Sequence, residues 1–547
     1  MPALRGSPYL LVDLIPLLSI FRGGTMLRIA HVPASCVLLS LLAWTTALVA
    51  QDTPVDVSDE TAKMQAMATR IDELVQARLD QEKVRAAPLA TDGEFIRRAY
   101  LDLVGSIPTV AQTRAYLDND APDKRQQLIA QLLKSPAHPT HLANTWRALV
   151  LEPSDDPQRL QNEQGLQLWL RGKFSENVRY DRLVEEFLTA TQGSDGPGYF
   201  YASQDLKPEL LASETSRIFL GLQLECAQCH DHPFDRWKQH DFWGLAAFFA
   251  QLERPANDNI VGLGRFDIVD RDMGEVTIPE TDEVVPPAFP GSKANYASFG
   301  GTRRQQLAIW MVSRDNPFMP RRAVNWAWAH MMGRGIVHPA DDMSPQNLPS
   351  HPELLDELTR YFIQSGFDLR LLLQTIALTD TYARSSEAVS DSEAPPELFA
   401  RMAVKSLTPE QLYDAFLKVG LLKSNVTMMQ QDGQRNQFVA RLRTASKDRT
   451  FFDTGMPQAL AVMNGPPVST ATSPETSGLL KALSAPFLSD EQRLNVLFLA
   501  AYSRPPNAEE LMRYQAFLQQ AEPEQQSAAL GDVLWVLANS AEFMLNH

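Results

Sequence analysis

The sequence predicts a mostly α-helical protein: two helical domains with a small β insertion and linker between them. Three observations carry this expectation. Apolar residues recur at helical spacing between capping and turn residues over most of the chain. The 547 residues, 44% of them apolar, are globular in composition and too many for one ordinary core. The main β-like stretch lies mid-chain, where Asn259-Ile-Val, Phe266-Asp-Ile-Val and Val276-Thr-Ile are separated by polar residues and glycine. The 37 prolines predict many short helices with Pro-marked starts.

Residues 1–50 read as a signal segment. From Met26, an alternative translation start, a basic Met-Leu-Arg leads into an apolar run from Cys36 to Ala50, with Ala47 and Ala50 before the polar Gln51-Asp52. The run is short for a spanning helix, so cleavage after Ala50 is expected, leaving no membrane span. The expected destination is the periplasm, the cell surface or the medium. Residues 51–91 form a leader and a first helix, Asp59 to about Lys83.

Residues 92–255 form the first helical domain. Thr91 caps a helix carrying Phe95, Ile96, Ala99 and Tyr100, with Gly105 as its stop, and Thr109 caps another. Arg98 and Asp102 stand at i, i+4 on the first of these, the spacing of a structural ion pair. Ser213 is placed as the cap of a helix that runs into Cys226 and ends at Pro233, and a further apolar helix is expected from Asp241 to Leu252. The β insertion and linker occupy 256–301 and the second helical domain 302–547. In that domain Ser350-His-Pro-Glu353 and Thr408-Pro-Glu-Gln411 have the form of capping boxes, and 489–520 and 523–545 read as two closing helices.

The formal charge of −16 argues against nucleic-acid binding through the overall field. Signal removal takes Cys36 with it and leaves only Cys226 and Cys229. This is no disulfide scaffold. The pair stands in Cys226-Ala-Gln-Cys229-His230, the spacing that attaches a c-type haem, with His230 as proximal iron ligand. On a helix the three would share one face. A second reading is a zinc site of Cys226, Cys229, His230 and His232, structural or hydrolytic, with Asp231, Asp235 and His240 close by. A third is an interaction scaffold without a cofactor, in which the cysteines only stabilise the fold. Candidate distal ligands are His330 and His351, with Met273, Met331, Met332 and Met343 as further options. The ordinary role of each His is hydrogen bonding, and of each Met core packing. No nucleophile elbow, phosphate loop or dinucleotide fingerprint is present, and no enzymatic activity is assigned.

Long segments add a resemblance. Phe95-Ile-Arg-Arg-Ala-Tyr-Leu-Asp-Leu-Val-Gly-Ser-Ile-Pro-Thr109, Cys226-Ala-Gln-Cys-His-Asp-His-Pro-Phe-Asp-Arg-Trp237 and Phe242-Trp-Gly-Leu-Ala-Ala-Phe-Phe249 resemble the planctomycete cytochrome-c-like domain. Arg322-Ala-Val-Asn-Trp-Ala-Trp-Ala-His330, Ser350-His-Pro-Glu-Leu-Leu-Asp356 and Ser503-Arg-Pro-Pro506 resemble its companion, the planctomycete surface-cytochrome-associated domain. Both families are of unknown function. The resemblance implies a cell-envelope protein with haem on Cys226, Cys229 and His230, and a redox partner or other envelope proteins as its contacts.

Overall fold

The computed structural model describes residues 57–152, 157–191, 196–254, 267–293, 300–314, 316–388, 394–422, 428–442, 463 and 465–547. The chain divides into two compact units, Met1–Glu60 and Thr61–His547. Only 57–60 of the first unit are described, so the signal segment lies outside the described residues.

Among its described residues the second unit is built of helices with three small antiparallel strand pairs. Val276–Thr277 pairs with Val284–Val285 inside the anticipated β region, and Val269–Asp270, also inside it, pairs with Leu252–Glu253, which lies just before it where helix was expected to end. The Asn259 run lies outside the described residues. A third pair, Lys405–Ser406 with Leu545–Asn546, was not anticipated.

Local signals place many helix ends. Thr91 accepts from the Glu94 amide and Gly105, at φ 72°, closes the helix Asp92–Val104. A Cβ on Gly105 would lie 2.4 Å from His141 Nδ1, so the position needs glycine for space as well as for its left-handed backbone. Thr109 with Gln112, and Thr408 with Gln411, form reciprocal capping boxes. Other expectations are corrected. His351, not Ser350, occupies the cap position before Pro352–Gln364, while the Ser350 hydroxyl donates to the Ile336 carbonyl. Ser213 lies inside the helix Pro208–Thr215. The two closing helices are four: Asp490–Tyr502, Ala508–Leu518, Gln526–Ala538 and Ala541–Met544. Ser503, at φ 61°, and the prolines after Arg504 break the first pair, because proline lacks the N–H that would continue the helix.

Buried apolar side chains form two clusters. One runs from Ile71 to Met402; the other gathers Leu407 to Phe543 together with Leu101 and Ile107. The helix Asp92–Val104 therefore feeds both, and it is buried almost all round. Its charged residues are buried too and must find partners. The expected Arg98–Asp102 pair is not made. Arg98 reaches back to Glu94 at 2.7 Å and donates to the Tyr382 carbonyl at 2.6 Å. Asp102 instead meets Lys405, whose Nζ lies 2.7 Å from both carboxylate oxygens, with both side chains fully buried. Tyr382 Oη at 3.0 Å and Asn546 Nδ2 at 2.7 Å also donate to that carboxylate.

Candidate functional site

Cys226 and Cys229 are free and exposed. The approach to them is not the continuous helix expected. After Pro208–Thr215 the backbone widens into one π turn, Ser216–Leu220, and stops at Gly221, φ 67°. A Cβ on Gly221 would lie 2.8 Å from Met343 Cγ and 2.9 Å from Arg322 Cδ, so the stop is sterically required. The motif then begins on a separate 3₁₀ turn, Glu225–Gln228. Buried Leu224 and Ala227 fasten this turn to the core and leave both thiols outside.

The backbone around the motif is tied down from the next helix, Gln239–Ala246, which ends short of the expected Leu252. Gln239 Nε2 donates to the carbonyls of Gln228 and Cys229 at 3.2 and 3.1 Å, and the Trp243 indole donates to that of Gln228 at 3.0 Å. Asp231 accepts from Lys238 Nζ at 3.0 Å and from the Gln239 amide at 3.1 Å, and these bonds hold its carboxyl below the usual range. None of these clamps was read from the sequence. The available signal was Gln239 and Trp243 heading the helix that follows the cysteine turn.

His230 is exposed, and its Nδ1 lies 2.8 Å from the Asp231 carbonyl oxygen. A carbonyl only accepts, so in the neutral ring Nδ1 carries the proton and the Nε2 lone pair is left outward. That is the ring state a metal-ligating histidine adopts. His232 is turned to local structure: its Nδ1 accepts from the Phe234 amide at 3.3 Å and its amide donates to the Trp237 carbonyl at 2.8 Å. His240 Nε2 lies 2.8 Å from Glu283. Among the described residues no three His, Cys, Asp or Glu side chains are grouped as a metal ion would need.

The distal candidates lie in the core. His330 is buried, with Nε2 3.1 Å from the Asp102 carbonyl and its ring stacked on Trp326. His351 is buried, with Nδ1 3.0 Å from Ser350 Oγ and its ring against Phe399. Both histidines are buried, whereas Cys226 and Cys229 are exposed. Met331 and Met332 are core residues, and Met273 is 81% exposed. Met343 lies closest in the fold to the approach, its amide donating to the Gly221 carbonyl at 2.8 Å.

Two exposed apolar side chains stand near the motif. Phe234 is 73% exposed, and its carbonyl accepts from Gln346, two residues before Leu348, which is 78% exposed. No helix among the described residues is long and apolar enough to cross a membrane.

Fold and site together define a mostly helical protein whose chemical feature is an exposed, clamped Cys-x-x-Cys-His turn. Comparison with known families then places it. Residues 70–254 match PSCyt2, described as a protein of unknown function (DUF1549), and residues 303–449 match PSD1, a protein of unknown function (DUF1553). The chain thus carries both family segments in this order, as its motifs indicated. No curated protein and no solved structure matches it.

Proposed function

We propose that this is an exported envelope protein that holds haem c on Cys226 and Cys229, with His230 as the proximal ligand. The observation that carries the reading is the turn itself: two free, exposed thiols, and an imidazole whose Nδ1 is committed to a carbonyl and whose Nε2 is not. The arrangement suits haem better than zinc. Zinc needs about four donors converging on one point. Haem attachment needs two thiols for the porphyrin edge and one nitrogen for the iron. When bound, haem supplies reversible one-electron chemistry, so the role is electron transfer or another redox-linked function with a partner in the envelope.

This chain's own residues do the positioning. Gln239 and Trp243 occupy the carbonyls of the turn, which limits its backbone freedom. The Asp231 carbonyl fixes the His230 tautomer and ring orientation. Phe234 and Leu348 supply exposed apolar surface of the kind a porphyrin edge packs against. The test is expression of the full chain with haem-attachment machinery, followed by a pyridine haemochrome spectrum and a haem stain on a denaturing gel. A stained band, lost in the Cys226→Ala/Cys229→Ala chain, is expected. A wild-type chain with no Soret absorption and no stain would sink the reading.

A further inference from the structure

A cavity of about 360 Å³ lies far from the cysteine turn in sequence. Helix Val110–Leu117, the end of Pro409–Val419, and helices Gly478–Leu483 and Asp490–Tyr502 wall it. Its volume falls within the range of small-molecule sites. The walls are mostly apolar, with Val110, Leu479, Val496 and Ala500 among them, and two cations, Arg114 and Lys418, line it as well.

Among the described residues the two cations have no carboxylate partner within ion-pair distance. Lys418 Nζ donates to Ser106 Oγ at 2.8 Å and to the Ile107 carbonyl at 2.9 Å, both neutral oxygens. An ammonium has three N–H bonds; two are used here, and beyond them the nitrogen lies 5.8 Å over the Tyr100 ring, so no third oxygen among the described residues competes with a ligand. Burial lowers its pKa, with only distant compensation from Asp414, whose carboxylate is taken by Arg435. Arg114 is exposed, and no ion pair to it is found among the described residues. Positive charge beside an apolar hollow selects an anion with an apolar tail.

We infer that this cavity binds a medium-chain carboxylate, its tail on Val110, Leu479, Val496 and Ala500 and its head between Lys418 and Arg114. The inference is independent of the haem reading. The site draws its walls from both matched families and from the helices beyond them.

The test is calorimetric titration of the full chain with hexanoate, octanoate, decanoate and dodecanoate, and with octanol as the uncharged control. Saturable binding of one ligand per chain is expected. Affinity should rise about four-fold per added methylene until the cavity is full, then level off. Octanol should bind at least about ten-fold more weakly than octanoate, because its hydroxyl can accept from the cations but brings no negative charge to them. Lys418→Met also removes the Ser106 and Ile107 bonds and risks misfolding, so two gentler variants test the site. Arg114→Ala should weaken octanoate about two- to five-fold and leave octanol unchanged. Val496→Phe should shift the plateau to shorter chains. No saturable binding, equal binding of octanol and octanoate, or indifference to both variants would each overturn the inference.

Discussion

Replacing Lys405 with Met tests whether the buried pair with Asp102 ties the two clusters together. All three N–H bonds of Lys405 are used: two reach the Asp102 oxygens and one the Met331 carbonyl, each at 2.7 Å. Removing them leaves a fully buried carboxylate held only by Tyr382 and Asn546, plus a bereft carbonyl. Breaking a buried pair from one side typically costs about 3–5 kcal/mol, and a stranded buried acceptor about 1–3. These terms overlap, so about 4 kcal/mol is expected, a large share of ordinary stability. Urea unfolding followed by tryptophan fluorescence reads it as a lower midpoint at unchanged slope. Asp102→Leu/Lys405→Met removes both charges and should recover about half of the loss. The rest persists because the Tyr382 hydroxyl and Asn546 amide remain buried without their acceptor. A single variant within about 1 kcal/mol of wild type, or a double variant worse than the single, refutes the reasoning.

Acid should destabilise the fold through two core histidines. Burial, the larger cause in each, lowers His138 and His351 from 6.5 to about 4. A depressed folded-state value means the unfolded chain binds more protons in between. The stability is therefore present above about pH 6.5 and lost as pH falls toward 4, to a ceiling of about 3 kcal/mol per residue. Unfolding midpoints from pH 7 to pH 4.5 should fall, and His351→Gln should flatten the profile; a profile unchanged by that substitution counts against this. A chain matured without haem attachment should have Cys226 and Cys229 modified rapidly by a thiol reagent in native buffer, since both are exposed. Protection until denaturant is added would mean the turn is buried.

What was legible in the sequence was local. Thr91, Gly105, Thr109 with Gln112, and Thr408 with Gln411 act within one turn of themselves, and each does what its residue type indicates. The cysteine turn was legible for the same reason. The course of the chain into it was misread because helical spacing was carried through Gly221, where Met343 and Arg322 crowd the backbone. The closing helices were run together across Ser503-Arg-Pro-Pro506, a break visible in the residues themselves. The partners of Asp102 were out of reach, because Lys405, Tyr382 and Asn546 lie hundreds of positions away. Local spacing favoured Arg98, whereas burial demanded a dedicated cation. The surroundings of His330 are equally non-local, since nothing in its neighbouring residues shows that it meets the Asp102 carbonyl, 228 positions away.

Those long-range bonds give a physical reason for finding the two matched segments in one chain. The helix Asp92–Val104 belongs to the first, and a helix end leaves its last carbonyls without intrahelical donors. Here Gln411 Nε2 donates to the Leu101 carbonyl at 2.7 Å, the His330 ring nitrogen lies 3.1 Å from that of Asp102, and Lys418 reaches Ile107 just beyond. All three donors lie in the second matched segment. Arg97 completes the exchange by donating to the carbonyls of Ala501 and Phe543, further along the chain. Separated from the companion and the helices that follow it, the first segment would keep its buried Arg97, Arg98 and Asp102 and lose most of what satisfies them. Leaving such groups unsatisfied costs more than a surface contact returns. The cysteine turn stands on this shared core through Leu224 and Ala227, and the companion also reaches it directly, Gln346 donating to the Phe234 carbonyl.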